Sequence, residues 1–267
     1  LQVAAGTLAV SSNGALGAAA NSINLNGASA AFRALSSFST GRTINLQNAT
    51  PSNNILDVVG GAVLTLNSAF TGANGFYKGD NGVLVLGSDN ATAGWSGTFN
   101  VGAGVVRLAS PGALGTNAGT AATVNNVVGA ALQLAGVSIA RNVAISGSGS
   151  NSAGALQAFT GANTVSGTVF LNTGPTIGVD AGASLTLAGS LTGATALTLA
   201  VAGTLTLSGT IAATIPTSIT KRGSGLVQIT SNLSSYTNGL TVNGGTVLIG
   251  GAGAVSYTHL RAHETRE

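Results

Sequence analysis

The chain contains no cysteine and no methionine, and of its 267 residues only 15 are charged and 11 aromatic. Each shortage closes off a class. Without cysteine there is no disulfide scaffold and no thiolate metal site. Proline occurs four times, and the 41 glycines follow no period of three, which excludes a collagen-like chain. No unbroken apolar run reaches the length of a membrane-spanning helix, and so few aromatics cannot furnish the girdles of a transmembrane β-barrel. A charged fraction of 6% is far below the quarter usual in soluble domains. Disorder is not the explanation, because 44% of the chain is hydrophobic and mean hydropathy is +0.44. A net charge of +3 over this length is too thin for nucleic-acid binding.

The last residues do not match the rest. Both histidines, His259 and His263, and four of the 15 charges lie beyond position 254. The segment Val255-Ser256-Tyr257-Thr258-His259-Leu260-Arg261-Ala262-His263-Glu264-Thr265 resembles a transposase sequencing adaptor translated in one frame. The two adaptor bases before that frame, CT, must end codon 254, which permits only Ser, Pro, Thr or Ala, and the residue is Ala254. The expectation is a natural segment 1–254, truncated at both ends, followed by a non-native tail 255–267. Residues 1–254 contain no histidine, so a Ser–His–Asp or Cys–His triad is impossible there.

What the chain has is repetition. Val3-Ala4-Ala5-Gly6-Thr7-Leu8-Ala9-Val10 matches Val101-Gly102-Ala103-Gly104-Val105-Val106-Arg107-Leu108 and Val242-Asn243-Gly244-Gly245-Thr246-Val247-Leu248-Ile249. Lys78-Gly79-Asp80-Asn81-Gly82-Val83-Leu84-Val85-Leu86 matches Lys221-Arg222-Gly223-Ser224-Gly225-Leu226-Val227-Gln228-Ile229. A shorter period runs inside. Apolar pairs at Ile44/Leu46, Leu64/Leu66, Leu84/Leu86 and Val106/Leu108 step by 20, 20 and 22 residues. A second series, Leu185/Leu187, Leu205/Leu207, Val227/Ile229 and Val247/Ile249, steps by 20, 22 and 20. The residue between each pair is mostly polar, the alternation of a strand with one buried face. Recurrence in register favours the coils of a solenoid over the hairpins of a meander, with Gly, Asn and Ser at the bends. Scarce charge then has a cause: stacked coils set like residues side by side, where charges repel and Thr or Asn ladders attract.

The segment Lys221 to Ile229, leading into Ser235-Tyr236-Thr237-Asn238-Gly239-Leu240-Thr241-Val242-Asn243-Gly244-Gly245-Thr246-Val247-Leu248, resembles the passenger-associated transport repeat, or autotransporter-associated β-strand repeat. The match is strong over 221–250 and good over 78–115, with Trp95 in the place of Tyr236; residues 3–17 keep the end of another copy. The resemblance implies an all-β, right-handed parallel β-helix of about 20–22 residues per coil. It further implies a passenger segment of a type V secreted bacterial protein, displayed at the cell surface. The partner would be an outer-membrane β-barrel at the C-terminus of the parent chain, with host or surface glycans or proteins as possible ligands of an adhesive stalk.

The family offers no catalytic residue, cofactor or metal ligand to carry over, and none is assigned; the chain is not expected to be an enzyme or to bind nucleic acid. Lys78 and Lys221 are expected as solvated turn residues, and Trp95 and Tyr236 as core aromatics closed under a loop rather than sugar-stacking platforms. The acids of residues 1–254 are Asp57, Asp80, Asp89 and Asp180. Asp80, Asp89 and Lys78 could be cast as the calcium ligands and base of a β-helical polysaccharide lyase, the alternative reading, but such sparse acids make a poor cation cage. An ice-binding solenoid needs flat Thr rows, which Arg107 and Gln228 interrupt. Gly147-Ser148-Gly149-Ser150 lacks the lysine and helix of a phosphate loop and reads as a bend.

Overall fold

A computed structural model describes residues 1–116, 121–125, 129–211, 217–231 and 238–250, and the backbone of 260–262. Among the described residues its strands, two to six residues long, pair only in parallel and stack into a β-solenoid. Three faces wind past in a fixed order. A long face of 11 strands runs from Phe38–Thr40 to Leu260–Ala262. The second face has nine strands, from Thr7–Val10 to Leu191–Thr192. The third is split: four strands from Gln2–Val3 to Phe70–Thr71, then six from Ser138–Ile139 to Thr246–Ile249. In the gap, around residues 87–98 and 109–116, turns stand where the third strand would be.

Register explains why alternation repeats. On the long face Leu64 lies opposite Leu84, Leu84 opposite Val106, Val106 opposite Leu132 and Leu132 opposite Leu156, steps of 20, 22, 26 and 24. The last two steps exceed the expected 20–22 because extra residues are added at the corners. One addition is the bend at Ser150–Ser152, where Gly147, Gly149, Asn151, Ser152 and Gly154 all have positive φ. Inward residues such as Leu64, Leu84, Val106 and Leu132 are fully buried and belong to one continuous core. Outward, like stacks on like. Asn45 donates to Asn24 on the split face, and Thr164, Thr186 and Thr206 follow one another in register.

One element of the expected series moves. Ile44/Leu46 is not the coil before Leu64/Leu66; it sits on the split face between Ile23/Leu25 and Phe70. Phe38 is the residue opposite Leu64. The second series, from Leu185 to Val247, is a true column, but on the split face rather than the long one.

Strand 246–249 pairs with 226–229 on one side only among the described residues. Its inward Val247 and Ile249 are half-buried, where Val227 and Ile229 one coil earlier are buried. Amide exchange is therefore expected to be much faster at 246–249 than at 226–229. Equal protection of the two strands would show that this edge is covered. Of the adaptor-like segment, the backbone of 260–262 adds a strand beside 240–242. Backbone pairing of that kind is open to any sequence that meets an unpaired edge.

Candidate functional site

The seven basic residues before position 255 divide by strand parity. Arg33, Arg107 and Arg222 alternate with inward residues and point out. Arg42, Lys78, Arg141 and Lys221 fall in phase with the inward residues Thr40, Phe76, Ile139 and Ile219, and all four are buried. This corrects the expectation that Lys78 and Lys221 are solvated turn residues: both have no exposed surface.

Their ammonium groups hold the bends together. Lys78 Nζ donates to the carbonyls of Gly79 and Asp80 (2.8 Å) in its own bend and of Ala103 (3.3 Å) in the next coil. Lys221 Nζ donates to the carbonyls of Gly223 and of Gly244, at 2.8 Å to the latter. The bends turn on equivalent residues with positive φ, Asp80 at 57° and Gly223 at 87°. A left-handed residue there directs successive carbonyls inward, where only a buried donor can satisfy them. Burial pulls the Lys78 ammonium down to about 8, against the upward pull of Asp57 and Asp80, and lowers Lys221 by the same cause.

The two buried arginines do similar work where a face is interrupted. The Arg42 guanidinium donates to the carbonyls of Asn13, Gly17 (2.7 Å), Ala18 and Asn21 (3.2 Å), closing the first loop. Arg141 donates to Gly97 O at 3.0 Å and Leu114 O at 2.7 Å. It lies 6.0 Å from the Trp95 ring and 5.8 Å from Phe99, and burial lowers its pKa to about 10. Trp95 fills the gap in the split face, 5.1 Å from Phe70 and 6.0 Å from Phe76, with its indole N–H on Asn74 O at 2.9 Å. It is a core aromatic under a loop, as expected; Tyr236 lies outside the described residues. Trp95 is the chain's only tryptophan, so its emission is expected to be blue-shifted and resistant to acrylamide quenching. Water-like emission from the folded chain would count against this packing.

Of the four acids only Asp57 and Asp80 lie near each other, on either side of Arg33. Asp80 pairs with Arg33 at 2.6 Å, and Asp57, beside Arg33 in register, has its pKa raised by burial first and by Asp80 second. Asp89 lies at the other end of strand Val83–Leu86 from Asp80. It closes a local turn, accepting from the Thr92 hydroxyl at 2.7 Å and from the backbone N–H groups of Ala91 and Thr92, bonds that lower its pKa. The lyase-like set of Asp80, Asp89 and Lys78 is thus not assembled: the lysine serves carbonyls and the carboxylates face different partners. No cluster of three potential metal ligands occurs among the described residues. Asp180 ends an outward relay on the long face. Arg107 Nε donates to Gln133 (2.9 Å), Gln133 to Gln157 (2.9 Å) and Gln157 to Asp180 (2.7 Å), with the guanidinium 3.8 Å over Phe159. The relay lets one cation and one anion on different coils share charge through neutral amides, which avoids a charged ladder.

Neither family models, curated proteins nor solved structures give a match to this chain.

Proposed function

We propose that the chain is a structural stalk segment in the passenger of a type V secreted bacterial surface protein, exported and held at the outer membrane by a C-terminal β-barrel of the parent chain. The observation that carries this reading is the equivalence of the two copies that most resemble the passenger repeat. Each opens on an inward lysine that clamps its own bend to the bend of the next coil. The residues that mark the repeat are spent on stacking one coil upon another, which is what a projecting scaffold requires. The low charge and the absence of cysteine suit a chain that crosses a periplasm and a narrow pore before it folds.

The test is to place the chain, epitope-tagged at its first residue, ahead of an outer-membrane barrel of this secretion type. The expected result is an epitope that added protease removes from intact cells. An epitope reached only after the outer membrane is opened would sink the proposal.

A further inference from the structure

We infer that residues 148–154 form an axial latch: a strap that lies along the long face and ties its own coil to the coil of strand Ser218–Arg222, so that the coils between them open as one block. This goes beyond the stalk reading and does not depend on it. A solenoid coil ordinarily touches only its two neighbours. On the long face Gln157 lies opposite Gly178, Gly178 opposite Ala200 and Ala200 opposite Arg222, three rungs or ~14 Å at the usual strand spacing. The Arg222 guanidinium nevertheless donates to Ser152 O at 2.6 Å, across 70 residues, where the Lys78 clamp reaches Ala103 across 25. One arginine side chain cannot span three rungs alone, so the strap supplies the rest of the reach.

The course of the strap is fixed at its neck, along its length and at its tip. The neck is closed by Ala153 N–H to Ser150 O (2.9 Å), Gly154 N–H to Ser148 O (3.0 Å) and a parallel bridge between Gly149 and Gly154. The strap then lies flat on the next coil: a Cβ on Gly178 would sit 1.5 Å from Ala153 O, so this outward position must stay bare. Gly178 alternates with the inward Ile177 and Val179 yet is buried as they are, because Ala153 covers it. The outward Gln157 opposite it is only 4% exposed. At the tip, Asn151 (φ 50°) and Ser152 (φ 57°) are consecutive left-handed residues that carry side chains. That conformation is disfavoured for each of them, and two in succession persist only where contacts from outside the loop hold them. The Arg222 bond to Ser152 O is such a contact. It exists only while the coil of Ser218–Arg222 is stacked, which couples the strap to a strand with which its own coil shares no ladder.

Native-state amide exchange of the full chain in rising denaturant tests the latch. The expected result is that the Ala153 and Gly154 amides exchange through the same opening as those of strand Ser218–Arg222. Arg222→Ala, at an exposed position that leaves the inward residues of its strand in place, should speed exchange at Ala153 and Gly154 about tenfold, the worth of one hydrogen bond. Leu84 and Val106, outside the block, should keep their rates. Gly178→Ala adds a carbon beneath the strap without touching Arg222, and should speed the same two amides at least as much. Exchange of Ala153 and Gly154 through a local opening of their own in the parent, rates there unaltered by either substitution, or an equal rise at every strand in Arg222→Ala would each overturn the assignment.

Discussion

Replacing Lys78 with methionine should cost the solenoid about 3 kcal/mol, despite the removal of a buried charge. Methionine matches the lysine stem and keeps the apolar contacts, but it leaves the carbonyls of Gly79, Asp80 and Ala103 without the donor that reaches them. Each buried carbonyl left unpaired costs about 1–3 kcal/mol, and relief of the ammonium's desolvation offsets part of that sum. For a chain of this size the net loss corresponds to a fall of roughly 6–12 °C in Tm. Lys221→Met should fall less, because its ammonium holds two carbonyls and lies nearer the open edge. A Lys78→Met chain as stable as the parent would mean that the clamp holds nothing.

The same lysine sets a pH dependence. Its pKa is about 8 in the folded chain against an ordinary 10.5. Between those values the unfolded chain binds the extra proton, so stability should rise as pH increases from about 8 to about 10.5. The full rise is about 3 kcal/mol at 1.36 kcal/mol per unit. Below pH 8 the burial cost is fully present and the curve should be flat with respect to this group. Denaturant midpoints for the parent and for Lys78→Met across this range check the assignment, since the variant should lose the rise.

The period of the apolar pairs made the solenoid legible, because in-register stacking leaves the same residue type at the same place in each coil. It did not say which face a pair belongs to. Ile44/Leu46 and Leu64/Leu66 carry the same local pattern, and only hydrogen-bond register separates the split face from the long one. Coil lengths of 24 and 26 were hidden for a related reason: residues added at a corner shift the count while inward residues stay opposite one another, with the one register shift falling after Leu134. The buried cations were misjudged because charge was given more weight than parity. Phe76-Tyr77-Lys78 and Ile219-Thr220-Lys221 put each lysine in phase with a core residue, and the same rule places Arg42 and Arg141 inside and Arg33, Arg107 and Arg222 outside. Alternation was a sufficient signal for all seven. The stacked corner glycines were less legible, since Ser-Gly-Thr and Ala-Gly-Ser are ordinary bend sequences in this chain, and only the coil register sets Gly167, Gly189 and Gly209 one above another.

Those stacked bends also make the sharpest distinction among the glycines. Gly189→Ala should destabilise the chain by about 3 kcal/mol, at or above the upper end of ordinary overpacking. The added carbon would lie 2.0 Å from the carbonyl oxygen of Gly167, and a backbone oxygen held in a strand-to-strand corner cannot swing aside as a flexible side chain can. Relief would require two coils to separate, which breaks neighbouring bonds such as Val169 N–H to Ser190 O at 2.8 Å. Gly60→Ala is the matched control. It has no positive φ, and its added carbon would meet nothing nearer than the Asn81 Cβ at 3.8 Å. There the substitution only reduces the freedom of the unfolded chain and should stabilise by about 0.4–1 kcal/mol. The same change, made in the same fold, is thus expected to have opposite signs at two bends, read directly as opposite shifts in the denaturant midpoint. Were Gly189→Ala to leave the midpoint unchanged or raise it, the close stacking of the corner column would be wrong.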